Sequence, residues 1–321
     1  MRNTSRSFSV STPALIGLLP LLTTYPAKAI HHPSLQTCSQ TETSDSYLLR
    51  LHSRERERGS TITTQVEYLS HSSNPKGVVT FLHGLNNKPQ IFDSLNSDLL
   101  KMGWITITGV LTGHGGDVEA FKQVKPSQWI QDTLEIKCLS QSISSEKKLK
   151  SYFIGYSLGG LVMADVLWHP DHQVNPFQNA LFLAPAWQTR LPSHWLKSLS
   201  SFAPWMGPLL IPSLNHPSLT AHWATPLSAY QSLALLTDRR KNWVPSKVSQ
   251  AKFLVAIDPE DELVDASAIK KITSANPQSE FLEVSTSQST FEKPKHHLIF
   301  SQEVLGPDWT KIQFVIQKSF F

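Results

Sequence analysis

The sequence is short of several things, and each shortage removes a class of function. Only two of its 321 residues are cysteine, Cys38 and Cys138, so it can close one internal disulfide at most and has no paired-cysteine metal spacing. No H-E-x-x-H, glycine-rich phosphate loop or dinucleotide fingerprint is present; no metal and no cofactor is expected. Internal repeats are absent. The apolar run Ala14–Leu22 is nine residues broken by Pro20, whereas a hydrocarbon core needs about twenty. Net charge is scarce as well. Of 29 basic and 25 acidic residues, Arg2, Arg6 and Lys28 alone lie in the first 29 positions, which leaves 26 minus 25, or +1, for the rest. Nothing in that balance calls for a nucleic-acid partner. A hydrophobic content of 40% with 17% charge describes a globular chain, neither disordered nor membrane-embedded.

What is present begins with an address. Residues 1–29 combine the basic start Arg2 and Arg6, the short apolar run and Ala27-Lys28-Ala29, a small-x-small cleavage pattern. They read as a signal peptide, and the mature protein is expected to be exported, periplasmic or secreted. Residues 30–44 are polar and aperiodic, an N-terminal arm. In an exported protein Cys38 and Cys138 either pair, tying that arm to the domain, or stay as two thiols. Ser46–Leu51 and Thr61–Leu69 alternate loosely and predict strands, with Arg54–Gly59 as a solvated hairpin turn between them.

The chemistry centres on Lys150–Leu161, KSYFIGYSLGGL. Tyr152-Phe153-Ile154 reads as a buried strand, and Leu161–Leu167 as a helix. Between them Gly155-Tyr156-Ser157-Leu158-Gly159 has the G-x-S-x-G form of a nucleophile elbow. A serine at the apex of so tight a turn needs neighbours without bulk, which Gly155 and Gly159 supply. The first amides of the following helix suit a developing negative charge.

Further strands are predicted at Gly77–Leu82, ending in His83-Gly84, and at Trp104–Val110, before the loop Gly113-His114-Gly115. Others fall at Ala180–Pro185, Lys252–Asp258 and Phe281–Val284. Helices are expected around Gln90–Met102, at Pro126–Leu139 with Ser127 as N-cap, and at Trp309–Phe320. Strands alternating with helices give an α/β fold, a mostly parallel sheet covered on both faces. Residues 186–250 break the rhythm. This stretch holds five of the nine tryptophans, Trp187, Trp195, Trp205, Trp223 and Trp243, and the apolar cluster Phe202–Ile211. It is too long for a plain connection and reads as an inserted lid. Trp205 and Leu209 are its candidate substrate contacts, and its apolar surface suits a transient contact with a membrane surface.

A serine hydroxyl needs a base, and the base an orienting acid. Functional groups of a parallel sheet gather in loops at the carboxyl ends of its strands. The loop after the last strand holds His296 and His297, and the strand at 252–258 runs into Asp258-Pro259-Glu260-Asp261-Glu262-Leu263-Val264-Asp265. The order Ser…Asp…His is that of one hydrolase arrangement. On these motifs the chain resembles the α/β-hydrolases, and most the branch of monoacylglycerol lipases, lysophospholipases and small carboxylesterases. The resemblance spans about residues 77 to 320, so residues 45–321 form one hydrolase domain with the lid inside it. It implies Ser157 as nucleophile, Asp261 as acid with Asp258 where a glycine is usual, and His297 rather than His296 as base. It also implies backbone N–H groups of Leu85 and Leu158 as oxyanion donors, with His83 and His114 as loop organisers. The implied activity is hydrolysis of small-molecule or lipid esters through an acyl-enzyme. Thioester or amide hydrolysis, acyl transfer, or ligand binding without turnover on the same fold are the alternatives.

Overall fold

The computed structural model describes residues 38–39, 41–69, 74–170, 175–190, 209–213, 215–244, 247, 251–287 and 295–320. The signal-peptide reading, Trp195 and Trp205 lie outside them. Among the described residues seven strands form one sheet in the order β1-β3-β2-β4-β5-β8-β9. They are β1 (Gln65–Glu67), β2 (Val78–Leu82), β3 (Ile105–Gly109), β4 (Ser151–Tyr156), β5 (Phe177–Leu183), β8 (Phe253–Ile257) and β9 (Glu280–Glu283). Within this sheet only β1 pairs antiparallel, on β3; its other pairings are parallel. Strands β2, β3, β4 and β8 are buried at every position. Helices cover both faces, which is why β2, β4 and β8 read as near-continuous apolar runs, whereas β3, Ile-Thr-Ile-Thr-Gly, alternates although it too is buried throughout.

One face packs against α4 (Pro126–Glu146), α5 (Leu158–Trp168) and α6 (Leu227–Arg239), through residues such as Ile136, Leu161, Val162 and Leu236. The other packs against α2 (Asp93–Lys101) and α9 (Trp309–Phe320), through Leu95, Leu99, Trp309, Ile312 and Ile316. No helix among the described residues is long and apolar enough to cross a membrane. Helix α4 begins at Pro126, with the Gln128 side chain accepting from the Lys125 amide at 2.8 Å, so the cap is Lys125 rather than Ser127.

The largest correction is at the amino-terminal end. Ser46–Leu51 is not a strand, nor Arg54–Gly59 a hairpin turn; Ser44–Glu57 is a helix, α1. Thr43 caps it by accepting from the Ser46 amide at 3.3 Å. Tyr47, Leu51 and Glu55, spaced by four, form its buried stripe. The alternating Arg-Glu run therefore serves the helical period. Arg54 pairs with Glu135 and Arg58 with Asp132, both on α4, while Glu55 turns inward to accept from the amide and hydroxyl of Thr64. Cys38 and Cys138 are bonded, a closure across 100 residues that ties the arm to α4.

The long stretch after β5 is only partly an excursion. A two-stranded hairpin, β6 (Leu210–Pro212) with β7 (Ala224–Pro226), leads into α6. Helix α6 is rooted in the domain: Ala229 and Leu236 are fully buried, and Arg239 pairs with the buried Asp165 of α5. Trp187 and Trp243 join Trp168, Phe182 and Phe253 in one aromatic cluster. Trp223 is 66% exposed.

Candidate active site

Leu82 of β2 lies beside Gly155 of β4 in parallel register, so the loops leaving these two strands open at the same sheet edge. Ser157 stands between β4 and α5 with φ 49° and ψ −111°, a conformation that costs a non-glycine residue about 1–3 kcal/mol. The surroundings hold it there. Its amide donates to Leu183 at 2.9 Å, and its carbonyl accepts from Leu161 at 3.0 Å and Ala186 at 3.1 Å. A side chain on Gly159 would come within 2.3 Å of the Leu82 carbonyl oxygen, and one on Gly155 within 2.5 Å of the Phe153 ring. The two glycines of the motif are thus required by close packing.

His297 Nε2 lies 2.9 Å from Ser157 Oγ, and His297 Nδ1 lies 2.8 Å from Asp261 Oδ2. An ionised carboxylate only accepts, so Nδ1 carries the proton and Nε2 is left to accept from the serine hydroxyl. Asp261 is fully buried and also accepts from the amides of Leu263 (2.8 Å) and Val264 (2.9 Å). Burial pushes its carboxyl up, but the charge and hydrogen bond of His297 and these two amides outweigh it and hold the carboxyl below its ordinary range. The His297 backbone is fixed as well: its carbonyl accepts from Tyr156 Oη at 3.1 Å, and its amide donates to Glu262 at 3.2 Å.

The neighbouring candidates are drawn elsewhere. His296 turns to Asp258, 3.1 Å away, and to Thr286, 3.0 Å away. Asp258 also accepts from the Thr286 amide and hydroxyl, which braces the loop after β8 against the chain leaving β9. Asp265 caps α7 (Ala266–Ser274). Asp258, Glu260 and His296 could offer three ligand atoms within 4.8 Å of one another, but Asp258 is already committed to its four hydrogen-bond donors, so the cluster serves as a brace.

Leu158 opens α5 directly after Ser157, and Leu85 lines the same cavity as Ser157 and His297. This cavity holds about 430 Å³. Its apolar lining includes Leu85, Ile211, Leu233, Ala234, Leu263 and Val264, and its polar lining includes Asn215, Glu262 and Lys295. Leu209 does not line it; two residues further on, Ile211 does.

His83 and His114 organise the loops. His83 Nδ1–H donates to the Gly84 carbonyl at 2.9 Å, and its Nε2 accepts from the Leu111 amide at 3.2 Å. Burial holds His83 down at about 4, and burial with the nearby His83 and His222 holds His114 well below its ordinary value. Both imidazoles are neutral at physiological pH. Sequence reasoning missed Asn86, Asn87 and His222, which join this network. The Asn86-Asn87 doublet after His83-Gly84 was the available signal, since asparagine tolerates left-handed backbone.

A sequence family described as "Serine aminopeptidase, S33" matches residues 73–268, a span that includes Ser157 and Asp261 and ends before His297. No curated protein matches the chain. Solved structures share its fold at low identity. One, from work on LipS and LipT, two metagenome-derived lipolytic enzymes, has a TM-score of 0.59 at 18% identity, over 79% of this chain and 97% of that one. A soluble variant of monoglyceride lipase from Saccharomyces cerevisiae, in complex with a substrate analog, also scores 0.59, at 14% identity over 80% and 91%. A monoacylglycerol lipase from Paleococcus ferrophilus scores 0.54, at 14% identity over 80% and 97%. With the parallel sheet, the elbow and the family match over most of the domain, the chain belongs to the serine aminopeptidase S33 family of α/β-hydrolases.

Proposed function

We propose that the protein is an exported serine hydrolase that cleaves carboxylic esters with an apolar acyl chain, of the monoacylglycerol or lysophospholipid kind. The observation that carries this reading is the unbroken relay Ser157–His297–Asp261, at 2.9 Å and 2.8 Å, opening on a cavity lined by both apolar and polar side chains. Ser157 Oγ attacks the acyl carbonyl while His297 Nε2 takes its proton. Asp261 holds the tautomer and stabilises the imidazolium. The tetrahedral oxyanion is met by the amides of Leu85 and Leu158. His297 returns the proton to the leaving alcohol, which departs and leaves Ser157 acylated. Water, deprotonated by the same imidazole, then frees the acid and restores the serine.

The acyl chain lies along Leu85, Ile211, Leu233, Ala234, Leu263 and Val264, and the alcohol faces Asn215, Glu262 and Lys295. Leu209, which does not line the cavity, is not needed for it; Trp205 lies outside the described residues. Export is supported by the residue 1–29 pattern and by the Cys38–Cys138 bond, which suits an oxidising compartment.

A series of p-nitrophenyl esters tests the substrate class. Each methylene buried on the apolar lining adds about 0.8 kcal/mol of binding at most, so kcat/KM is expected to rise up to about fourfold per methylene until that lining is covered. Ala234→Trp should move the optimum to shorter chains. A profile that peaks at acetyl and declines would contradict the lipid-ester reading, and turnover of aminoacyl amides in place of esters would replace it with a peptidase.

A further inference from the structure

The turn after β2 is held from an unexpected direction. Asn86 sits in left-handed backbone, φ 55°, one residue after Leu85, and is 4% exposed. All four of its polar groups are committed. Its amide donates to His114 Nε2 at 3.0 Å, and its carbonyl accepts from the Ala221 amide at 2.9 Å. Its side chain spans the backbone of His222 as a strand would, with Nδ2 donating to the carbonyl at 3.0 Å and Oδ1 accepting from the amide at 2.9 Å. The next residue repeats the theme: Asn87 Nδ2 donates to the Leu219 carbonyl at 3.2 Å, and Asn87 bridges to Thr220. On its far side His222 Nε2–H donates to the Gly113 carbonyl at 2.7 Å. The stretch before β7 is therefore stitched to the turn that carries Leu85.

We infer that Asn86 is a positioning residue, which uses the backbone of His222 in the inserted segment to fix the Leu85 amide where it meets the oxyanion. The inference rests on the reading of Ser157 and Leu85 proposed above. The side chain of Asn86 is spent on His222, so it acts through Leu85 and not on the substrate itself. The insert then does two things: Ile211, Asn215 and Thr225 help wall the cavity, and residues 219–222 set the geometry of one oxyanion donor. Removing such a donor outright costs about 100- to 1,000-fold in rate; loosening it costs less.

The test is Asn86→Gly. Glycine accepts positive φ freely, so this change removes the side-chain clamp without adding the backbone strain that alanine would bring. Expected is a fall in kcat of about tenfold or more on p-nitrophenyl octanoate, with KM within about twofold of wild type. An alkyl trifluoromethyl ketone, which forms a tetrahedral adduct with a serine, should weaken by the same factor as kcat/KM, while octanol, which forms none, should compete unchanged. A kcat within twofold of wild type, or a rise in KM with ketone affinity unaltered, would overturn the inference. If Asn86→Gly does not accumulate as folded protein, Asn86→Asp is judged by the same criteria: it keeps the Oδ1 bond and the tolerance of positive φ but sets an acceptor against the His222 carbonyl, so a loss of the same order is expected. Wild-type protein that neither turns over esters nor reacts with a fluorophosphonate at Ser157 would fail the functional reading first, and the Asn86 inference with it.

Discussion

Two histidines adjacent in sequence have been given different partners. His297 lies between Ser157 and Asp261, whereas His296 is taken by Asp258 and Thr286. His297→Ala is therefore expected to lower kcat by several orders of magnitude, and Asp261→Asn by roughly a thousandfold or more, through loss of the required tautomer. His296→Ala should cost far less, because it loosens a brace and leaves the relay intact. Steady-state kinetics on one ester decides the matter, and a severe His296 variant beside a mild His297 variant would reverse the assignment. The meeting of Ser157, Asp261 and His297 is legible in the sequence because each lies in a short motif at a strand's end, and a parallel sheet brings those ends together. Asn86 and His222 were not legible in the same way. Their contact joins residues 136 apart, through a side chain pairing with a backbone, and no local pattern records that.

At the scale of single elements the sequence misleads at α1. Loose alternation over Ser46–Leu51 suggested a strand, but the stripe Tyr47, Leu51 and Glu55 belongs to a helix, and the decisive partners Asp132 and Glu135 lie far along the chain on α4. One consequence is measurable. Burial raises the Glu55 carboxyl from its ordinary 4.5 to about 7, against the hydrogen bonds from Thr64 that lower it. The folded state therefore holds this proton more tightly than the unfolded one, so Glu55 favours folding below about pH 4.5, and that contribution is lost as pH rises through about 7. Glu55→Gln, which cannot ionise, should gain on wild type as pH rises from 4.5 to 8, by up to about 3 kcal/mol. Urea unfolding at both pH values measures it, and a gap that does not change with pH would refute the assignment.

For the molecule as a whole, the sheet and its covering helices follow from apolar strand runs alternating with helical periods. The part least legible was the stretch between β5 and β8. Its length marked an insert, but α6 is rooted in the domain by Ala229, Leu236 and the Arg239–Asp165 pair, and a length argument cannot separate buried helix from lid. The Cys38–Cys138 bond fastens the arm to α4 and closes a 100-residue separation. Cys138→Ser should cost about 2–5 kcal/mol of stability by denaturant unfolding; an unchanged midpoint would mean the arm contributes nothing to the fold. Protein recovered from its native host should begin near Ile30, and a mature chain retaining Met1 would rule out export through residues 1–29.

The central claim is that Ser157 is a nucleophile activated by His297, and covalent labelling tests it most directly. Wild-type protein treated with a fluorophosphonate and digested should carry a single phosphonyl adduct, on Ser157. Ser157→Ala should carry none and unfold at nearly the wild-type temperature, and His297→Ala should label far more slowly. An adduct of undiminished yield on Ser157→Ala, or one mapped to another serine in the wild type, would contradict the account.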